Sequence, residues 1–331
     1  MQTLLLTDHD IKNLLSMREV IDVVERAFKE KALRRVQMPP KVYLFYKEVG
    51  DLRAMPCYLE SLGISSVKIV NSHPRNREKG LPTVMATIII VDPETGFPRA
   101  IMGGSWITAM RTGAAGAIAV KYLARRNSEV AAFIGAGTQA RTQLMGLMEI
   151  MNSLREIRIY DKNPEAEKGF LRFFKENYGG VCKIAAAGSA KDVVMGADIV
   201  VTTTPSREPI VMSDWISEGT HFNCFGADAP GKQELDPRIL KKASKIVVDD
   251  VEQAVHGGEV NIPISLGIIG EKDIYAEIGE VVAGLKKGRE RDDEITVFSS
   301  TGLAIQDAVT ADLAYKKAIE RGLGLHVRLV T

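Results

Sequence analysis

Residues 130–141 read VAAFIGAGTQAR. Five apolar residues run into a turn carrying Gly135 and Gly137, and Ala140 follows at GxGxxA spacing. The first glycine permits a tight turn, and the second lets the backbone approach a pyrophosphate. The small residue at 140 lets the following helix pack close to the strand. That helix would offer free N–H groups and a positive dipole end to phosphates. The same string also describes a plain structural turn. Its context favours a nucleotide: a second strand-like run, EIRIYD (156–161), ends in Asp161 at about the ~20-residue remove of the fingerprint's acidic residue. Asp161 would accept hydrogen bonds from the adenosine ribose and repel a 2′-phosphate, which favours NAD. Lys162 beside it softens that preference. The alternative is that Asp161 only caps the next helix.

From Glu129 onward, strand-like and helical runs alternate. CKIAAA (182–187), DIVVTTT (198–204), THFNCFGAD (220–228), SKIVVDD (244–250) and ITVFSS (295–300) are the further strand candidates. The pattern predicts an α/β fold, a Rossmann doubly wound parallel sheet. Ligands of such sheets lie outside the carboxyl ends of the strands, where TTTPS (202–206) and FGADAPG (225–231) fall. Thr202, Thr203 and Thr204 are candidates there, although threonine is common in strands and not all three can face one ligand.

The first hundred residues read differently. Ser16 and Glu19 form a capping box before a helix expected over 17–35, with Met17, Val20, Ile21, Val24, Ala27 and Phe28 as its apolar stripe. KVYLFYKE (41–48) and DLRAMPCYL (51–59), joined through Gly50–Asp51, precede GISSVKIV (63–70), TVMATIIIVD (83–92) and FPRAIMGG (97–104). Short strands separated by turn signals predict an antiparallel or mixed sheet. Lys68 shares a strand face with Ile64, Ser66 and Val70. It is either an edge residue whose amine reaches water or a lysine held for chemistry. A helix expected over 105–125 has one charge between Ala100 and Val120, Arg111. An unpaired buried arginine is costly, so a carboxylate partner is required, from the protein or from a ligand gripped bidentately. The expected plan is an α+β first domain over 1–118, with a helical segment 303–331 packing back on it. A nucleotide domain fills 119–302.

Composition excludes several classes. The chain has 331 residues and a net charge of +1, so no basic field argues for nucleic acid. Its apolar runs fall short of the ~20 residues of a membrane span. The start, MQTLLLTDHD, lacks a cationic region and is not a secretion signal. Three spread cysteines fit a reducing, cytoplasmic setting, and the five histidines show no metal-ligand spacing. HGGE (256–259) reads as a turn, and Cys224 as core.

MPPKVYL, LRAMPCYL, VKIVNSHPRN, GLPTVMA, MRTGAAG, IGAGTQA, TTTPS, GADAPGKQELD, HGGE and STGLAIQD occur in that order along the chain. Together they resemble the ornithine cyclodeaminase/mu-crystallin family, with the closest likeness to its alanine dehydrogenases and ketimine reductases. The resemblance implies NAD(H) or NADP(H) as cofactor, a small imino- or keto-acid substrate, and a homodimer, with 1–118 as the substrate and dimerisation domain. It implies that Arg111 holds the substrate carboxylate, assisted by Lys41, that Lys68 lies beside the substrate, and that Thr83 contacts it. Asp228 would work on the substrate nitrogen or a water; its bland alternative is a turn cap. Where ornithine-binding members carry a glutamate, this chain has Arg53, which would repel a distal ammonium and is grouped with the carboxylate binders. The expected dinucleotide contacts are Thr112, Gly135, Gly137, Thr138, Gln139, Asp161, Lys162, Thr202, Thr203, Gly226, Ala227 and Ser300. The implied reaction is reduction of a 2-imino acid to an L-amino acid. Ornithine cyclodeaminase and a non-catalytic mu-crystallin-like dinucleotide-binding protein are the rivals.

Overall fold

The computed structural model describes residues 1–330, with Arg77 described by its backbone only. The strands of the first part are β1 (Thr3–Leu6), β2 (Val36–Gln37), β3 (Val42–Tyr46), β4 (Gly50–Leu59), β5 (Ile64–Ser72), β6 (Val84–Val91) and β7 (Pro98–Gly103). Then follow β8 (Val130–Ile134), β9 (Glu156–Tyr160), β10 (Lys183–Ala186), β11 (Ile199–Thr202), β12 (His221–Cys224), β13 (Lys245–Val248), β14 (Ile274–Glu277), β15 (Thr296–Ser299) and β16 (Leu325–Val327). The longer helices are α1 (Met17–Ala32), α2 (Ser105–Leu123), α3 (Thr138–Ile150), α4 (Pro164–Tyr178) and α5 (Ala304–Arg321).

The chain forms two compact units. One contains Met1–Thr112 and the segment from Leu303 onward; the other is Gly113–Gly302. The division falls inside α2, between Thr112 and Gly113.

In the first unit the sheet order is β16-β1-β7-β6-β5-β4-β2, with β3 paired to β4. Every pairing is antiparallel except β1 with β7. The β3–β4 turn falls at 47–49, before Gly50, and Glu48 takes the left-handed conformation at φ 57°. Burial alternates along β4 and β5: Arg53, Met55, Cys57 and Leu59 on one strand, Ile64, Ser66 and Lys68 on the other. Helix α5 lies on that face, over β4, β5 and β6, and also packs on α1. Both oxygens of Glu19 accept from Lys317 Nζ, at 2.6 and 2.7 Å, which ties the two helices together. Helix α1 keeps its Ser16–Glu19 capping box but ends at Ala32. Strands β1 and β16, three or four residues each, are too short for period-2 alternation to reveal.

In the second unit all eight strands are parallel, in the order β10-β9-β8-β11-β12-β15-β13-β14. The order reverses beside β8, so the crevice between the ends of β8 and β11 is the switch point where such sheets bind ligands. Helices α2 and α3 cross closely: a Cβ on Gly146 would stand 2.6 Å from the Gly113 carbonyl oxygen.

Beneath this sheet His221 is fully buried. Its Nε2 lies 3.0 Å from Asn223 Oδ1 and its Nδ1 lies 2.9 Å from Thr296 Oγ1. Asn223 in turn donates to the Gly116 carbonyl at 3.0 Å. The amide oxygen must accept, so Nε2 carries a proton; the Thr296 hydroxyl, 2.8 Å from the Leu123 carbonyl oxygen, has one proton for that carbonyl and for Nδ1. Burial, reinforced by Arg289, pushes the imidazole down to about 3. Folding therefore favours the neutral ring, while the unfolded chain takes up a proton below its ordinary pKa near 6.5. Stability should fall as pH drops from about 6.5 towards 3, with up to about 1.4 kcal/mol per pH unit traceable to this residue. Urea titrations at several pH values should show a shallower acid limb for His221→Gln than for the wild type; superimposable limbs would refute the assignment.

Candidate functional site

Two groups of residues stand out, one in each unit. In the first, β5 lies between β4 and β6, with Lys68 opposite Met55 and Ile88. Lys68 is therefore not an edge residue, and it is 1% exposed. Its Nζ donates to Asp307 Oδ2 at 2.6 Å and to Thr108 Oγ1 at 3.4 Å. Arg111 donates from Nε to Asp307 Oδ1 and from Nη1 to Gln306 Oε1, both at 3.0 Å. One buried carboxylate thus serves two buried cations. Asp307 stays below its ordinary pKa: burial opposes its charge, but Arg111 and Lys68 outweigh that. Lys68 is pushed down to about 7, chiefly by burial, with Arg111 and Lys41 acting in the same direction and Asp307 against it.

Asp307 is the partner that Arg111 required, and sequence reasoning missed it. A signal existed. Asp307 heads an i, i+4, i+7, i+11 series on α5 whose other members are the buried Ala311, Ala314 and Ala318. An acid at the top of a buried alanine stripe needs a counter-ion.

The other basic residues differ. Arg53 is bidentate to Asp51, at 2.8 and 3.2 Å, and lies over the Tyr43 ring at 5.5 Å. Lys41, half-buried just before β3, reaches Lys68 electrostatically. Thr83 precedes β6, and its carbonyl accepts from His73 N at 2.8 Å.

In the second unit, the turn after β8 has the shape a pyrophosphate needs. Gly135 sits at φ 97°, and a Cβ there would stand 2.8 Å from Thr203 Oγ1. Gly137 is the N-cap of α3 with no side-chain cap, and a Cβ on it would meet open space. The first amides of α3 are thus left for a ligand. Gln139 Oε1, one turn position further, is buried without a partner. Thr138 is exposed, and Lys162 is exposed beside Asp161. Asp161 does not cap α4, whose N-cap is Asn163. Its Oδ2 accepts from Ala136 N at 2.8 Å and its Oδ1 from Asn163 N at 2.9 Å. It fastens the glycine turn, and a carboxylate with about four acceptor positions keeps capacity for ribose hydroxyls. The residues therefore fit a dinucleotide.

Three further residues expected at the dinucleotide make hydrogen bonds within the protein. Thr202 is fully buried and donates to Glu234 Oε2 at 2.7 Å. Ser300, also buried, donates to Asp249 Oδ2 at 2.8 Å. Thr112, inside α2, donates to the Thr108 carbonyl at 2.7 Å. Thr203 remains at the turn, with Oγ1 3.4 Å from the Ile134 carbonyl oxygen.

Asp228 is half-buried in the loop after β12. Its Oδ1 accepts from Lys232 Nζ at 2.5 Å. Neighbouring Gly226 is held by Glu234, a fully buried residue that was not anticipated, and Ala227 beside it is buried. Glu234 accepts from Gly226 N at 2.9 Å, from Thr204 N at 2.6 Å and from the Thr202 hydroxyl. One carboxylate thereby joins the ends of β11 and β12. Glu259, from HGGE, accepts from Glu234 N at 2.9 Å and Leu235 N at 2.6 Å. Burial raises both carboxyls, and the Glu234 charge raises Glu259 further. Cys224 is in the core, as HGGE's neighbour strand requires. Among the described residues no cluster is arranged to hold a metal, and no helix is long and apolar enough to cross a membrane.

The parallel sheet with its glycine turn defines a Rossmann-type nucleotide-binding protein. The chain belongs to the ornithine cyclodeaminase/mu-crystallin family, whose model matches residues 1–322. It is 52% identical over 328 residues to the alanine dehydrogenase of Archaeoglobus fulgidus, covering 99% of each chain. A solved archaeal alanine dehydrogenase dimer with bound NAD superimposes with a TM-score of 0.95 at 51% identity over all of both chains. The Δ1-pyrroline-2-carboxylate reductase of Thermococcus litoralis, solved with NADH and L-proline, also gives 0.95, at 44% identity over 98% of this chain and 100% of that one.

Glu259 gathers the Glu234 and Leu235 amides from a fully buried position. Glu259→Ala, which strands two backbone N–H groups, should lose about 1–3 kcal/mol or more in urea unfolding. An unchanged unfolding midpoint would show that those amides are satisfied without it.

Proposed function

We propose that this chain reduces a 2-imino acid to an L-amino acid with NAD(H) or NADP(H), acting on a cyclic ketimine such as 1-pyrroline-2-carboxylate or on pyruvate with ammonia. The observation that carries this reading is the buried pair Lys68 and Arg111, two cations with one carboxylate between them. A pair left one negative charge short is an anion site built where water is scarce. The relatives whose names include alanine dehydrogenase and pyrroline-2-carboxylate reductase support the substrate class.

Gly135, Gly137, Thr138, Gln139 and Thr203 would hold the dinucleotide's phosphates, and Asp161 its ribose. When bound, the nicotinamide supplies the hydride that reduces the C=N carbon. Arg111 grips the substrate carboxylate through its guanidinium. Lys68, a lysine poised near neutrality, exchanges protons with the substrate. Asp228 stabilises the protonated imine nitrogen and serves as acid/base. Lys41 and Thr83 complete the carboxylate side. Arg53 stands where a distal ammonium would need an acid, and its partner Asp51 has both oxygens engaged by it, which counts against ornithine as substrate. We assign the protein to the cytoplasm from its cysteine usage.

A panel of pyruvate with ammonia, 1-pyrroline-2-carboxylate and ornithine, each with NADH and NADPH, tests the reading. Lys68→Ala and Asp228→Asn should each cut turnover about a hundredfold or more with NADH affinity intact. Near-normal turnover in either variant would remove that residue from the mechanism, and a strong NADPH preference would count against the role of Asp161.

We also propose a homodimer formed through the first unit. Val42, Leu44, Phe45, Tyr46 and Val49 are all exposed on the β3–β4 hairpin, an apolar surface of the kind that marks an interface. The solved archaeal relative is a dimer. Sedimentation velocity should give a dimer for wild type and monomer for Phe45→Glu; an unchanged dimer in the variant would place the interface elsewhere.

A further inference from the structure

We propose that Asp307 is the positioning residue of this site: one carboxylate that fixes the directions of Lys68 and Arg111 together and cancels one of their two charges, matching the pair to a single carboxylate group of the ligand. The proposal rests on the imino-acid reading only for the ligand's identity.

Three elements far apart in the chain meet at this carboxylate: β5 through Lys68, α2 through Arg111, and the first turn of α5. Each oxygen of Asp307 takes one cation. An ion of this kind stays charged in a buried place only while both partners are present. The groups facing Lys68 are few. From β4 come Met55 and Cys57, whose thiol burial pushes up to about 12 and leaves neutral. From β6 comes Ile88, and from α2 come Thr108 and Arg111. Lys41 adds a further positive charge, and Asp307 comes from α5. Among the described groups acting on Lys68, Asp307 is the acid, and its charge opposes the effect of burial.

Gln306 completes the arrangement. Its Oε1 accepts from Arg111 Nη1 and from Leu303 N, both at 3.0 Å, which fixes the amide orientation. Its Nε2 is left buried without a partner. An orphaned buried donor is unfavourable until an acceptor arrives. Arg111 also keeps Nη2 outside these two bonds, so the incoming carboxylate meets donors already aimed by the Gln306–Asp307 pair.

The direction of the effect on Lys68 follows. Burial lowers its pKa and Asp307 raises it. Removing the Asp307 charge must move the loss of the lysine's proton to lower pH. A role for Asp307 in packing alone, without its charge, would leave that midpoint unmoved.

The test uses the full chain loaded with NAD+ and pyrrole-2-carboxylate, a flat ring carboxylate with no reducible C=N bond. Calorimetry follows its binding from about pH 5 to 9. Wild-type affinity should decline through a midpoint near pH 7. Lys68→Met should flatten that profile, assigning it to the lysine. Asp307→Asn should move the midpoint down by about one unit or more while NADH affinity, read by fluorescence, stays within about twofold. A midpoint unmoved in Asp307→Asn, or no midpoint in wild type, overturns the proposal. If Asp307→Asn fails to bind NADH, Asp307→Glu carries the test: it should keep the wild-type midpoint, and a downward shift in it overturns the proposal. Turnover of the wild type, measured alongside, separates the two readings. A shifted midpoint without imino-acid reduction sinks the reaction and keeps Asp307. Reduction with an unmoved midpoint does the reverse.

Discussion

A lysine and an arginine cannot both sit in a dry interior unless something negative sits with them. Asp307 meets that requirement from the first turn of α5, where the helix dipole also favours a negative charge. Much of the first unit follows from it. Helix α5 must lie on β4, β5 and β6 so that its first turn reaches the end of the Lys68 side chain. The alanine stripe below Asp307 allows the close approach, and the Lys317–Glu19 pair holds the far part of the helix against α1. The ion cluster is expensive to build, and its retention in a buried place points to use rather than to stability.

The second unit uses the same device for a different end. Glu234 and Glu259 are buried acids whose oxygens gather backbone N–H groups: Glu234 those at the ends of β11 and β12, and Glu259 those of Glu234 and Leu235. A loop that must present Asp228 has no regular hydrogen-bond ladder of its own. The two acids supply one from beneath. They act on geometry, while Asp307 acts on charge, and the difference is visible in their surroundings. Glu234 and Glu259 meet backbone amides and a hydroxyl, whereas Asp307 meets two cations.

The parallel sheet was legible because each strand is a compact apolar run and the glycine turn has a fixed spacing. The first-unit strands were legible from turn signals, and Lys68 and Arg111 from being lone charges in apolar runs. Asp307 was not, since its bond to Lys68 spans 239 residues and no local pattern encodes so distant a partner. Thr202 and Ser300 show a further limit. A strand-end position is legible in the sequence, but the buried acids that their hydroxyls meet, Glu234 and Asp249, are not. The unit boundary at 112 was hidden for a related reason: a continuous helix gives no compositional sign of changing neighbours.

Asp161 grips the backbone of Ala136 in the glycine turn and of Asn163 at the head of α4. The carboxylate at the end of β9 therefore holds two loops that leave neighbouring strands. Exchanging that side chain changes the charge at the strand end and the hold on the turn together, so the two properties cannot be tuned separately at this position.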